Sequence, residues 1–315
     1  MKLCRFNETR LGYVQGGLVL DVTAALDVLP DVRWPLPARG DLLIRHLDEV
    51  RRRVEEIRAD APRHDLEGVD LFSPVANPTK LLGAPVNYQT HIDEAEEDEG
   101  IVFDQNVIKP ISESLCFLKA VSSLVGPREG IVFDQNVIKP ISESLCFLKA
   151  VSSLVGPSEG VARSFPERRT DHELELAAVI GREARGIARE RALAYVAGYT
   201  MGLDMTVRGG EDRSMRKSVD SYSVLGPWLT TADEIEDPNS LDLTLRLNGE
   251  VRQDSNTRHL IYDVQMLISK CSEFFTLLPG DVIYTGTPAG VGPVKPGDVL
   301  ECEIEGIGTM RVPVR

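Results

Sequence analysis

Cysteine is scarce in this chain, and the cysteines present have no metal-binding spacing. Cys4, Cys116, Cys146, Cys271 and Cys302 include no Cys-x-x-Cys pair, and Cys116 and Cys146 are copies of one another. That excludes a zinc ribbon or a thioredoxin-type motif, and reduced structural thiols are expected. Basic runs are nearly absent, and the formal net charge is -14. A nucleic-acid groove needs clustered cations against phosphates, so a chain this acidic suits metal cations or small ligands and no nucleic-acid partner. No apolar run approaches a membrane span, and the opening MKLCRFNETRLGYV lacks the charged start and apolar block of a secretory signal. The expectation is a cytoplasmic protein without a membrane partner. No glycine-rich loop ends in GK[ST], which argues against ATP.

A chain of 315 residues can bury a sizeable core, as one large domain or a large and a small one. Residues 1–77 read as a small N-terminal module. RFNETRLGYVQGGLVLDVT is strand, Gly-Gly turn, strand, and WPLPARGD breaks the chain before a helix. In that helix Leu43, Leu47, Val50, Val54 and Ile57 recur at steps of four and three. Residues 78–315 read as strands and hairpins with occasional helices. LDLTLRLNGEVRQDSN turns at Asn248-Gly249, a strong hairpin signal. LIYDVQMLISKCSEFF places Leu260, Val264, Leu267, Cys271, Phe274 and Leu278 on one helical face. DVLECEIEGIG alternates, with Leu300, Cys302 and Ile304 inward. The fold class expected is α+β and β-rich, without a doubly wound sheet.

One segment occurs twice. EGIVFDQNVIKPISESLCFLKAVSSLVGP spans residues 99–127 and recurs letter for letter at 129–157, with Arg128 between. Solenoids repeat many times and drift, so two identical copies indicate an in-frame duplication of a segment that the fold uses once. Doubling a loop costs only about 0.6 kcal/mol in closure entropy, so the fold tolerates one copy packed and the other looped out.

Four stretches have residues suited to chemistry. In DHELELAAVIG, Glu173 and Glu175 share one face of a strand, where paired carboxylates either sit in water or hold a cation. Asp204, within the apolar run GYTMGLDMTVR, is an expensive carboxylate to bury unpaired and makes a third oxygen ligand or a turn cap. Three oxygen donors without His or Cys suit Mg²⁺, Mn²⁺ or Ca²⁺. Arg208, Arg213, Arg216 and Lys217 form a local cationic cluster that either receives a carboxylate or lines a solvated loop. In NYQTHIDEAEED, His91 and Glu94 stand three apart, so on a helix the carboxylate either orients the imidazole as a general base or the two form a solvated pair on an acidic face. VIYTGTPAGVG is a strand running into a loop in which Gly286 and Thr287 offer backbone N–H and hydroxyl donors, or form a tight turn.

Taken in order, NYQTH with Glu94, FLKAVSSLVGP, DHELELAAVIG, GLDMTVR, RKS, LLPGDVIYTGTPAGVG and VKPGDVLECEIEGIG resemble the fumarylacetoacetate hydrolase family over roughly residues 80–315. The resemblance implies a mixed β-sandwich roll, a homodimer, and a divalent cation, magnesium first, on Glu173, Glu175 and Asp204. It implies a His91–Glu94 dyad on a lid, Lys217 at the reacting group, and substrate contacts from Arg208, Thr287 with its neighbour Gly286, and the lysine of FLK. That lysine is Lys119 or Lys149, and Lys149 is preferred because the second copy runs on into the metal strand. The substrates implied are 2-oxo or 1,3-diketo acids, undergoing C–C hydrolysis, decarboxylation or isomerisation; the dyad favours hydrolysis. A metal-binding homologue whose lid the duplication disables is the other reading.

Overall fold

The computed structural model describes residues 1–32, 40–98 and 146–315. Residues 34–39 of the break read at WPLPARGD, the whole first copy of the repeat with Lys119, and the start of the second copy lie outside these residues, while Gly40 at φ 92° and the N-cap Asp41 end the break before α1, Leu42–Arg45.

The sequence's β-rich α+β expectation is met. Among the described residues a 12-stranded sheet forms the centre. Its middle is the antiparallel set Ser223–Thr231, Val196–Asp204 and Leu174–Ile180, which continues through Val282–Tyr284 to Leu81–Gly83 and Phe147–Lys149. The N-terminal strands Lys2–Phe6, Arg10–Gln15 and Leu18–Asp21 extend the other side, because Leu3 pairs with Leu229. A three-stranded sheet joins Thr170–His172 to Thr206–Val207 and Gly292–Pro293. A four-stranded sheet holds the Asn248-Gly249 hairpin, both residues at positive φ (53° and 83°), as the two-residue turn requires.

The Leu174–Ile180 strand is buried at every position, which excludes the half-exposed alternative for its glutamates. It is covered on both faces, with Leu174, Leu176 and Ile180 in one apolar cluster and Ala177 and Val179 in another. Helices α1 (Leu42–Arg45) and α2 (Leu47–Ile57) break at His46; Leu47, Val50 and Val54 are buried, while Leu43 and Ile57 are half-buried. Helix α3 is Gln89–Glu97, α4 is Arg213–Arg216, and α5 is Val264–Phe274. The α5 face is shorter than the apolar spacing predicts: at its start Asp263 caps the helix, accepting from Met266 N at 2.8 Å, and at its end the backbone turns extended at Phe275. Leu260 and Leu278 therefore lie outside the helix, and Phe274 is 40% exposed.

Two close approaches fix the strands around the site. Opposite Glu175 stands Gly202, where a Cβ would come within 2.4 Å of the buried Tyr284 ring. Gly202→Ala is therefore expected to cost about 1–3 kcal/mol by overpacking, read as a lower denaturant midpoint at unchanged slope. At the end of Val282–Tyr284, Gly286 has φ +102°, and a Cβ there would lie 2.6 Å from Asn87 Cβ.

Candidate active site

Register brings the three acids together. Leu174 pairs with Leu203, and Asp204 N donates to the Glu173 carbonyl at 2.9 Å, so Glu173 and Asp204 close one end of the strand pair, with Glu175 one turn of the pleat inward. One ligand oxygen from each of Glu173, Glu175 and Asp204 lies within 4.8 Å of the others, and all three residues are buried. No other cluster of this kind occurs among the described residues.

Two lysines offset part of this charge. Lys217 Nζ, at the C-terminal end of α4, donates to Glu173 Oε2 at 2.6 Å, Asp204 Oδ2 at 2.7 Å and Thr206 Oγ1 at 2.7 Å. Lys149 Nζ donates to Asp204 Oδ1, the Lys217 carbonyl at 2.6 Å and the Tyr222 carbonyl at 3.1 Å, which uses all three of its N–H donors. Burial would raise Glu173, but the charges of Lys217 and Arg208 overcome it and hold that carboxyl well below the usual range. Glu175 goes the other way: burial and then the Asp204 charge push it well above its ordinary value. The hydrogen bond to its carboxylate is from Gly286 N to Oε2 at 2.5 Å. A buried carboxylate repelled by its neighbours and lightly hydrogen-bonded is what a cation would relieve, so these residues fit a divalent ion with oxygen preference.

Helix α3 places His91, buried, so that Nδ1 meets Glu94 Oε2 at 3.2 Å. Glu94 Oε1 accepts from Gly290 N at 2.9 Å, which ties the helix to the loop after Thr287. His91, Glu173, Glu175, Arg208, Arg213, Arg216, Lys217, Thr287 and Phe147 all line one cavity. Arg208 donates to Asp171 Oδ2 at 2.8 Å and to Glu173 Oε1 at 3.2 Å. Thr287 spends its hydroxyl on the Leu174 carbonyl at 2.9 Å and accepts from Gln253 Nε2 at 2.7 Å. Gly286 sits behind the wall, where its N–H holds Glu175.

Several contributors were not singled out in the sequence. Asp171, fully buried, bridges Arg208 and Arg169, and Arg169 grips Asp98 at the end of α3 at 2.9 Å. An ion-pair chain thus runs from the helix carrying His91 to the carboxylate Glu173. Gln253, buried after the exposed Glu250, Val251 and Arg252 of its strand, and Phe147, with Lys217 Nζ 5.5 Å from its ring centroid, complete the surroundings.

Residues 134–315 match the family model described as Fumarylacetoacetate (FAA) hydrolase C-terminal. The chain is 51% identical over 320 residues to the maleylpyruvate hydrolase of Aquipseudomonas alcaligenes, an alignment covering 100% of this chain and 99% of that one. It is 33% identical over 308 residues to the mitochondrial oxaloacetate tautomerase FAHD2A of Homo sapiens, covering 94% and 83%. Among solved structures, the maleylpyruvate hydrolase from Sphingobium sp. SYK-6 in complex with manganese (II) ion and pyruvate has a TM-score of 0.75 at 35% identity, covering 100% and 98%. The chain belongs to the fumarylacetoacetate hydrolase family. Within that family it is a metal-binding hydrolase, with the acidic triad as its candidate ion site.

Proposed function

We propose that this chain hydrolyses the C–C bond of an acylpyruvate or related 1,3-diketo acid, using Mg²⁺, with Mn²⁺ or Ca²⁺ as alternatives, and that maleylpyruvate is the first substrate to test. The observation that carries the reading is one cavity lined by Glu173, Glu175 and His91, with Glu94 behind His91 at 3.2 Å. A cation held by Glu173, Glu175 and Asp204 supplies Lewis-acid polarisation of the 2-oxo acid.

The chain's own residues do the rest. Glu94 accepts from His91 Nδ1–H, which leaves Nε2 to take a proton from water. The hydroxide adds to the distal carbonyl carbon, the C–C bond breaks, and its electron pair leaves with the 2-oxo acid fragment. That carbon takes back the proton held on His91, so one water is consumed and two acids form. Lys217 and Arg208 place positive charge beside the 2-oxo acid end. Lys149 fixes Asp204 and the Lys217 backbone. Thr287 lines the cavity, and Gly286 holds Glu175 from behind it. Residues 1–77 form the small N-terminal domain of this reading, and a cytoplasmic homodimer serving the breakdown of aromatic ring-cleavage products goes with it on family habit.

The test is to supply maleylpyruvate with and without Mg²⁺ and to quantify both products. Equal amounts of pyruvate and maleate, released only with the metal, are expected. Loss of substrate without a second acid would replace hydrolysis by isomerisation or decarboxylation.

A further inference from the structure

Among the cations lining the cavity, Arg208 and Lys217 have carboxylate partners already, in Asp171, Glu173 and Asp204. Arg216 does not. It is 5% exposed, and among the described residues its hydrogen bond runs from Nε to the Glu211 carbonyl at 2.9 Å, with none from either Nη. Glu211's carboxylate is taken by Arg168 in a two-pronged pair at 2.9 and 2.7 Å. Burial, then the guanidiniums of Arg208 and Arg213, weigh against the Arg216 charge, yet arginine does not deprotonate. Its backbone is fixed in α4, which Asp212 caps by accepting from Ser214 N at 2.8 Å. The protein therefore keeps a buried guanidinium on the cavity wall without a carboxylate of its own, an arrangement that favours an anionic ligand with planar geometry.

Resting on the hydrolase reading above, we propose that Arg216 binds a second carboxylate on the substrate, at the end remote from the 2-oxo acid, so that the preferred substrates are dioxo dicarboxylic acids rather than monocarboxylic acylpyruvates. The geometry assigns the two ends separately: Arg208 and Lys217 are paired to the ligand carboxylates Glu173 and Asp204, whereas Arg216 lines the same cavity with no ion pair to them. Binding energy from that remote group then discriminates between substrates in kcat/KM.

The experiment compares maleylpyruvate, a dicarboxylate, with 2,4-dioxopentanoate, a monocarboxylate, on the wild type, Arg216→Met and Arg216→Lys, following pyruvate from both. Expected for Arg216→Met is a loss of about 10²-fold or more in kcat/KM on maleylpyruvate and under about threefold on 2,4-dioxopentanoate, with partial recovery in Arg216→Lys. Thermal stabilisation by Mn²⁺ equal to wild type shows that the variant is folded with its ion site intact. Equal losses on the two substrates, or no loss on either, overturn the Arg216 assignment and leave the hydrolase reading standing. Failure of the wild type on both substrates overturns the hydrolase reading and this inference with it.

Discussion

Glu175→Gln is expected to raise the melting temperature of the metal-free protein while abolishing the further rise that Mg²⁺ or Mn²⁺ brings, and to lower kcat by about 10²–10³-fold. The two signs have one cause. Burial and the Asp204 charge push the Glu175 carboxyl well above its ordinary value, so the ionised form destabilises the folded protein when no cation is present. Glutamine has the same shape, accepts the Gly286 N–H through its amide oxygen, and carries no charge, so the repulsion disappears. Two carboxylates then remain, and with Lys149 and Lys217 already paired to them the site loses its surplus negative charge. Differential scanning fluorimetry across a metal titration, beside pyruvate release, reads both effects. A variant that melts lower without metal, or keeps the metal-induced rise, would remove Glu175 from the ligand set. Glu173→Gln should behave differently, because Lys217, Arg208 and Thr206 all bond that carboxylate; its loss strands cations and lowers stability with or without metal.

The contrast shows how much of the site was legible in the letters. Acids spaced two apart on an apolar strand, and a third acid in a second apolar run, were visible as candidates, since burying a lone carboxylate is costly, but exposed glutamates and a turn cap stayed open until the resemblance joined them as one ligand set. Helical spacing put His91 and Glu94 on one face but left a solvated pair open, and only the resemblance made them a dyad. Asp171, Arg169 and Gln253 were not, since each is defined by partners far off in sequence: Asp171 by Arg208, Arg169 by Asp98, Gln253 by Thr287. Fold class was legible from alternation and from Asn248-Gly249, while the extent of α5 was not, because the cap at Asp263 and the extended backbone at Phe275 cut short an apolar pattern that continued past both ends. The duplication is plain in the sequence and touches the site at a definite place. Site residues come from 84–98 and from 147 onward, and the repeated segment begins one residue after Asp98, which Arg169 holds through a two-pronged pair. The end of α3 is thus anchored before the repeat starts.

That anchored helix gives the second large effect. His91→Ala is expected to lower kcat by about 10²–10⁴-fold while leaving metal-induced stabilisation near wild type, since His91 is no part of the carboxylate cluster. Glu94→Gln is the sharper test. In the native protein Oε2 meets His91 Nδ1 and Oε1 accepts from Gly290 N, so both oxygens act as acceptors. An amide has one oxygen and one NH₂. If the oxygen stays on Gly290 N–H, the NH₂ faces Nδ1, which must then be the acceptor, and the imidazole carries its proton on Nε2, the wrong end for taking one from water. If the amide turns over, Nδ1–H keeps its acceptor but the NH₂ is set against Gly290 N–H, and the tie between α3 and the loop is lost. Either way the base is mis-set without any cavity being made, so Glu94→Gln should lose nearly as much kcat as His91→Ala with little change in unfolding midpoint. Glu94→Gln with near wild-type turnover would show that the carboxylate does not orient the histidine, and the attacking water would need a different base.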